Sequence, residues 1–258
     1  MNVFTFDIET VPDVDSGRRL YEVPDLDDED VARIMFHQRR QRTGGSEFLP
    51  LHLHRVVAIS ACLRRGDSLK VWSLGEEDSP EHELITRFFD GIDRFAPVLV
   101  SWNGSGFDLP VLNYRALLHG VPAPRYWETG DEDNSFRFNN YLSRFHWRHT
   151  DLMDVLAGFN NRAYARLDEI AVLLGLPGKM GMSGAHVWDN YREGKLGAIR
   201  DYCETDVLNT WLVYLRFELM RGHLTREGYE REIALTRETL ASDNRPHIQA
   251  FNDAWGAA

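Results

Sequence analysis

The chain of 258 residues carries 29 basic against 40 acidic side chains, a formal net charge of −11, and 43% of it is hydrophobic. This length and composition suit one soluble α/β domain with a sizeable core. The charge excludes a protein that grips nucleic acid through an overall positive coat, but not one whose bound metal ions meet phosphates locally.

The chain opens on Asn2–Phe6, alternating β-formers that end at Asp7, which predicts a strand delivering carboxylates at its C-terminal edge. This start has no basic residues, long apolar run or small-residue cleavage site, so no signal peptide is expected. No segment approaches the ~18 consecutive apolar residues of a membrane span. Two cysteines, Cys62 and Cys203, stand outside any zinc-ligand spacing, so a reduced, cytoplasmic protein without disulfides is expected.

Composition shifts between 21 and 51, where the acidic run Asp25–Asp30 precedes Arg33, Arg39, Arg40 and Arg42 and then Gly44-Gly45. This charged insertion predicts a short helix with dipole-matched ends, then a flexible turn. Its arginines read either as a local basic patch guiding a strand or as a solvated helix face. His52 and His54 alternate with leucines, as in a strand entering the sheet. Residues 55–63 and 68–73 predict a hairpin across Arg65-Gly66-Asp67.

Ser79 as cap and Pro80 as first helical residue predict a helix to about Phe95. An apolar strand is expected at 97–102 and a helix at 109–119. Residues 120–148, aromatic and polar without a period, read as a long loop, followed by a strand end at 149–152. A short helix at 167–174, a glycine-rich loop at 175–184 and long helices at 196–222 and 225–240 complete the series. The predicted organisation is a single domain over 1–240 with a loose C-terminal tail at 241–258.

Three short patterns carry chemistry. In Phe6-Asp7-Ile8-Glu9-Thr10 the i and i+2 side chains of a strand share a face, so two carboxylates stand side by side. Their mutual repulsion is relieved by a hard divalent cation such as Mg2+ or Mn2+; taken alone, the pair reads as well as a solvated strand end. Asn103-Gly-Ser-Gly-Phe-Asp108 lies between a strand and a helix, where open α/β sheets bind ligands. Asp108 there is either a metal ligand or a helix cap. In Tyr202-Cys-Glu-Thr-Asp206, the phenol and carboxylate at i and i+4 share a helix face.

The three patterns in this order resemble the DEDDy 3′–5′ exonucleases of the ribonuclease-H-like superfamily. The likeness is to stand-alone exonucleases related to the proofreading domain of family-B DNA polymerases, and it covers about residues 1–220. The resemblance implies a mixed five-stranded sheet, three strands antiparallel and two parallel, with helices on both faces. It assigns Asp7, Glu9, Asp108 and Asp206 to two Mg2+ or Mn2+ ions, and Tyr202 to orienting the attacking water. It also implies hydrolysis at the 3′ end of a nucleic-acid strand with release of nucleoside 5′-monophosphates.

Three substrate contacts are expected. The resemblance places Asn103 near the strand terminus. Phe107 reads as a wedge or as packing, and Lys179 as a phosphate contact or a solvated loop lysine. Single-stranded DNA is the favoured substrate. An exoribonuclease is the alternative within the superfamily, since the 2′-hydroxyl that separates the two has no reader identifiable in the sequence; a non-catalytic nucleic-acid-binding protein is the alternative outside it.

Overall fold

The computed structural model describes residues 1–257. Strand β1 (Asn2–Pro12) alternates as its sequence demands, with Phe4, Phe6 and Ile8 entering one apolar cluster and Val3 another. By the same alternation Asp7 and Glu9 share the face opposite Phe6 and Ile8. β1 is longer than expected, so these carboxylates sit inside a strand rather than at its end. Beyond them β1 still pairs with β2 (His54–Arg65), across a register shift between Glu9 and Thr10.

β2 turns at Gly66 (φ +56°) into β3 (Ser68–Ser73), completing three antiparallel strands. On the other side of β1 lie the parallel strands β4 (Val98–Ser101) and β5 (His149–Asp151), giving the sheet order β3-β2-β1-β4-β5. β4 pairs only with Val3–Thr5 of β1. The edge of β1 that carries Asp7 and Glu9 therefore opens just beyond the end of β4.

Helices α1 (Val14–Tyr21) and α2 (Asp28–Thr43) follow β1. α2 has 16 residues and is not short; Asp27 caps its N-terminus and Gly44 ends it in the left-handed conformation. Of its arginines, Arg39 donates to Phe48 O, Arg40 pairs with Glu47 and Arg33 with Asp30. α3 (Glu81–Phe95) starts one residue later than predicted, because Ser79 accepts the Glu76 N–H at 2.9 Å instead of capping the helix. His52 lies in a one-turn 3-10 helix, Leu51–Leu53, and β2 begins only at His54.

α4 (Asp108–His119) leaves β4, and a loop containing the single turn α5 (Pro124–Trp127) leads to β5. α6 (Leu152–Leu156), α7 (Leu167–Leu173), α8 (Val187–Arg192), α9 (Leu196–Met220), α10 (Arg226–Ser242) and α11 (Pro246–Ala257) follow. On one face of the sheet α3 and α4 pack Ile85, Phe88 and Leu112 on Phe4 and Phe6. On the other, α9 to α11 pack Leu208, Trp211 and Phe251 on Val3, Cys62 and Val100. This is the mixed α/β sheet of the ribonuclease-H-like class.

The loose tail expected at 241–258 is corrected. α11 buries Ile248, Phe251 and Trp255, an i, i+3, i+7 stripe that binds it to the core. Arg245 pins its start, donating to Val71 O at 2.8 Å and pairing with Glu204 of α9.

Candidate active site

Asp108 is the first residue of α4 rather than its cap, which is Phe107. Its Oδ1 accepts the Ile8 N–H at 3.2 Å, on the stretch of β1 that β4 no longer covers. One hydrogen bond thus seats this carboxylate between Asp7 and Glu9 in sequence and beside them in space. α9 crosses the same edge and brings Tyr202, Cys203 and Asp206. The Cys203 thiol contacts Asp7 O at 3.4 Å and Asp7 Oδ2 at 3.7 Å. Ligand atoms of Asp7, Glu9 and Cys203 all lie within 4.8 Å of one another.

The electrostatics record this convergence. Burial raises the pKa of Asp7 well above the carboxylate range, and the charges of Asp108, Glu9 and Asp206 raise it further. Glu9 is raised by burial, then by Asp206 and Asp108, against some relief from Lys179. Burial pushes Asp108 up to about 7, though backbone N–H groups favour its charged form. Asp206 is pushed up to about 6, chiefly by burial, and is partly offset by the Tyr202 hydroxyl and the Lys179 ammonium. Tyr202 is raised by burial and by the negative charge of Asp206 and Glu9, so its phenol stays protonated at neutral pH.

The loop after β4 is held by a residue that sequence reasoning left aside. Asp151, at the end of β5, accepts the N–H groups of Asn103 and Ser105, both at 2.9 Å. Asn103 takes the left-handed conformation (φ +65°), which asparagine tolerates better than most residues. Gly104 and Gly106 let the loop pack closely: an added Cβ would collide with Ser101 at Gly104 and with the Asn103 side chain at Gly106.

A cavity of about 360 Å³ opens over Asp7 and Asp206 of the four carboxylates, lined also by Asn103, Asp168, Lys179 and Tyr202 among others. Lys179 reaches it because Asn209 of α9 clasps the preceding Gly178, donating to its O at 2.9 Å and accepting its N–H at 3.2 Å. Phe107 instead joins an aromatic cluster with His54, at 5.2 Å between ring centres, and Phe48, at 5.7 Å.

Sequence reasoning gave no site role to Cys203 or Asp168, and it weighed Asp151 as a metal ligand and set it aside. Cys203 had a signal, since it sits one helical step before Asp206. Asp151 had one too, as the last residue of a strand parallel to β1. Asp168 is adjacent to Asp206 only in the folded chain and had none.

A donor set of carboxylate oxygens, mutually repelling and half-buried or buried, fits a hard divalent cation. The model of a predicted 3′–5′ exonuclease family related to the exonuclease domain of PolB matches residues 46–255. The chain belongs to that family. The exonuclease match includes Asp108, Tyr202 and Asp206, whereas Asp7 and Glu9 precede it and join the site through β1. Exonuclease domains of this kind generally use divalent metals, consistent with the carboxylate cluster. No curated protein matches the chain, and no helix among the described residues is long and apolar enough to cross a membrane.

Proposed function

We propose that the protein is a metal-dependent 3′–5′ exonuclease that hydrolyses the terminal phosphodiester of single-stranded DNA and releases nucleoside 5′-monophosphates. The observation that supports this most is the gathering of Asp7, Glu9, Asp108 and Asp206, from one strand and two helices, around one edge with Lys179 as the cation facing them. These four side chains would hold two Mg2+ or Mn2+ ions. Such ions, when bound, supply a deprotonated water at neutral pH and neutralise charge on the departing 3′ oxygen.

The chain's own groups do the rest. Asp7, Glu9, Asp108 and Asp206 fix where a phosphate can sit, because only a metal-bridged anion is tolerated beside them. Tyr202 keeps its proton and donates a hydrogen bond, orienting the attacking water rather than taking a proton from it. Lys179 and Asn103, which both line the cavity, meet the phosphate and the terminal nucleotide. In the reaction the water oxygen bonds to phosphorus, the P–O3′ bond breaks, and the 3′ oxygen leaves with a proton.

The test is direct. Wild-type protein with 5′-labelled single-stranded DNA and Mg2+ or Mn2+ should give a ladder of shortened products; with EDTA, or as Asp206→Ala, it should give none. A ladder from 3′-labelled substrate alone, or one that persists in EDTA, overturns the reading. The same oligonucleotide as RNA reports the sugar preference.

A further inference from the structure

Resting on the exonuclease reading, we infer that the surface beyond Asn103 is a stacking lane for unpaired bases upstream of the 3′ end. Asn103 lines two cavities at once: the one over the carboxylates and a neighbour of about 390 Å³ that also includes Leu142, Arg144, Asp154 and Tyr164. The second cavity therefore continues the first along the sheet's parallel edge.

Tyr164 and Arg144 line this second cavity, and Phe145 and Phe159 lie beyond its lining, against Arg144. Phe145 is 67% exposed, Tyr164 39% and Phe159 36%. Phe145 and Phe159 meet edge to face with ring centres 4.9 Å apart. The Arg144 guanidinium stands over both rings, at 5.8 and 5.2 Å from their centres. Arg144 is itself fixed, its Nη2 donating to both Asp154 oxygens at 2.8 and 2.9 Å, while 45% of its side chain remains exposed. Asp154 is buried and also takes the Tyr164 hydroxyl.

Phe159 occupies the left-handed region (φ +59°), an uncommon place for a bulky residue, and follows Gly158 in the same region. The fold thus holds a large ring outward where a small residue suits the backbone better.

Exposed rings joined by an anchored arginine are the combination that binds single strands without reading sequence: bases stack, and the cation meets the backbone. A protein partner has no comparable claim, because the lane is continuous with a cavity built for a phosphodiester. The occupant is therefore the same strand whose 3′ end enters the carboxylate site.

The experiment uses the full chain as Asp206→Ala with Mg2+, and fluorescein-labelled single-stranded 12-mers carrying one abasic residue at each position in turn. Fluorescence anisotropy should show a window of positions upstream of the terminus where base removal weakens binding about 5- to 100-fold, the range expected of one stacked base. Adding Phe145→Ala and Phe159→Ala should weaken the intact 12-mer similarly and flatten the window; Phe145→Tyr should restore it. A profile without a window in Asp206→Ala, or a window that survives both alanines, overturns the lane. Cleavage separates the two readings. If wild type gives a product ladder but the window is absent, the lane alone fails; a window without any ladder sinks the catalytic reading and leaves the lane.

Discussion

β1 and α4 together build two buried acidic clusters with opposite electrostatics. At one, β1 contributes Asp7 and Glu9 and α4 contributes Asp108; burial raises all three, with carboxylate repulsion adding to Asp7 and Glu9 and the Asp151 charge adding to Asp108. At the other, the residue following β1 is Asp13 and α4 contributes Arg115, which donates to Asp13 at 2.6 Å and grips Glu81 of α3 through Nε at 2.7 Å and Nη2. Burial works against the Asp13 charge as well, but hydrogen bonds from Ser16 and Arg115 outweigh it and hold its pKa below the usual value. Glu81 is further occupied by the Val56 N–H at 2.7 Å. The Arg115 cluster is internally compensated and ties α4 to β1 and β2. The Asp7 cluster has only the partial relief that Lys179 gives Glu9 and Asp206, so it costs stability until a cation arrives from outside.

The largest effect should come from breaking the compensated cluster. Arg115→Met leaves Asp13 and Glu81 buried without their cation, and urea denaturation should show a loss of about 3–5 kcal/mol, as for other severed buried pairs. A loss under about 1 kcal/mol would mean the two regions do not differ as described. Next comes the uncompensated cluster. Mg2+ or Mn2+ at about 100 times its Kd should stabilise the wild type by about 2.7 kcal/mol, seen as a rise of roughly 5–10 °C in Tm for a chain of this size. The Asp7→Ala, Glu9→Ala double variant should lose this shift; if it keeps the whole of it, the cation binds elsewhere.

Which parts were legible in the sequence follows from the range of the interactions involved. The hairpin and α9 are written in local turn chemistry and apolar periodicity. The acidic residues of the site were legible because Asp7 and Glu9 share a strand face and Tyr202 and Asp206 a helix face. Their meeting was legible only through the family likeness, since no spacing brings Asp108 to the Ile8 N–H. Ser79 misled because its hydroxyl found a nearer backbone partner, Glu76. α11 was hidden because Ser242-Asp243-Asn244-Arg245-Pro246 looks like a chain end; its stripe of Ile248, Phe251 and Trp255 makes sense only against α9 and α10. Asp151 looked like an ordinary strand end, and its hold on Asn103 and Ser105 spans almost fifty residues of chain.

The smallest and most discriminating difference is in pH. Asp108 and Asp206 are raised in the fold to about 7 and about 6 from an ordinary value of 3.8. Between roughly pH 4 and 7 the metal-free folded chain therefore holds protons that the unfolded chain has released. These two carboxylates thus lower stability as pH rises through that window, by at most about 1.4 kcal/mol per pH unit for each proton held, while His149, lowered by burial to about 4, acts in the opposite sense below its unfolded value of 6.5. Asp13 has the opposite sign: its depressed pKa contributes stability above its unfolded value, lost only as pH falls below 3.8 through the folded value. Thermal melts in EDTA from pH 5 to 7.5 should accordingly show Asp206→Asn, which has no proton to lose, gaining in Tm relative to wild type as pH rises. Saturating Mg2+ should shrink that difference in slope, because a bound cation favours the ionised carboxylates and competes with protons for the same oxygens. An Asp206→Asn profile parallel to wild type in EDTA would show that the Asp7 cluster is compensated after all, and the contrast between the two ends of α4 would be lost.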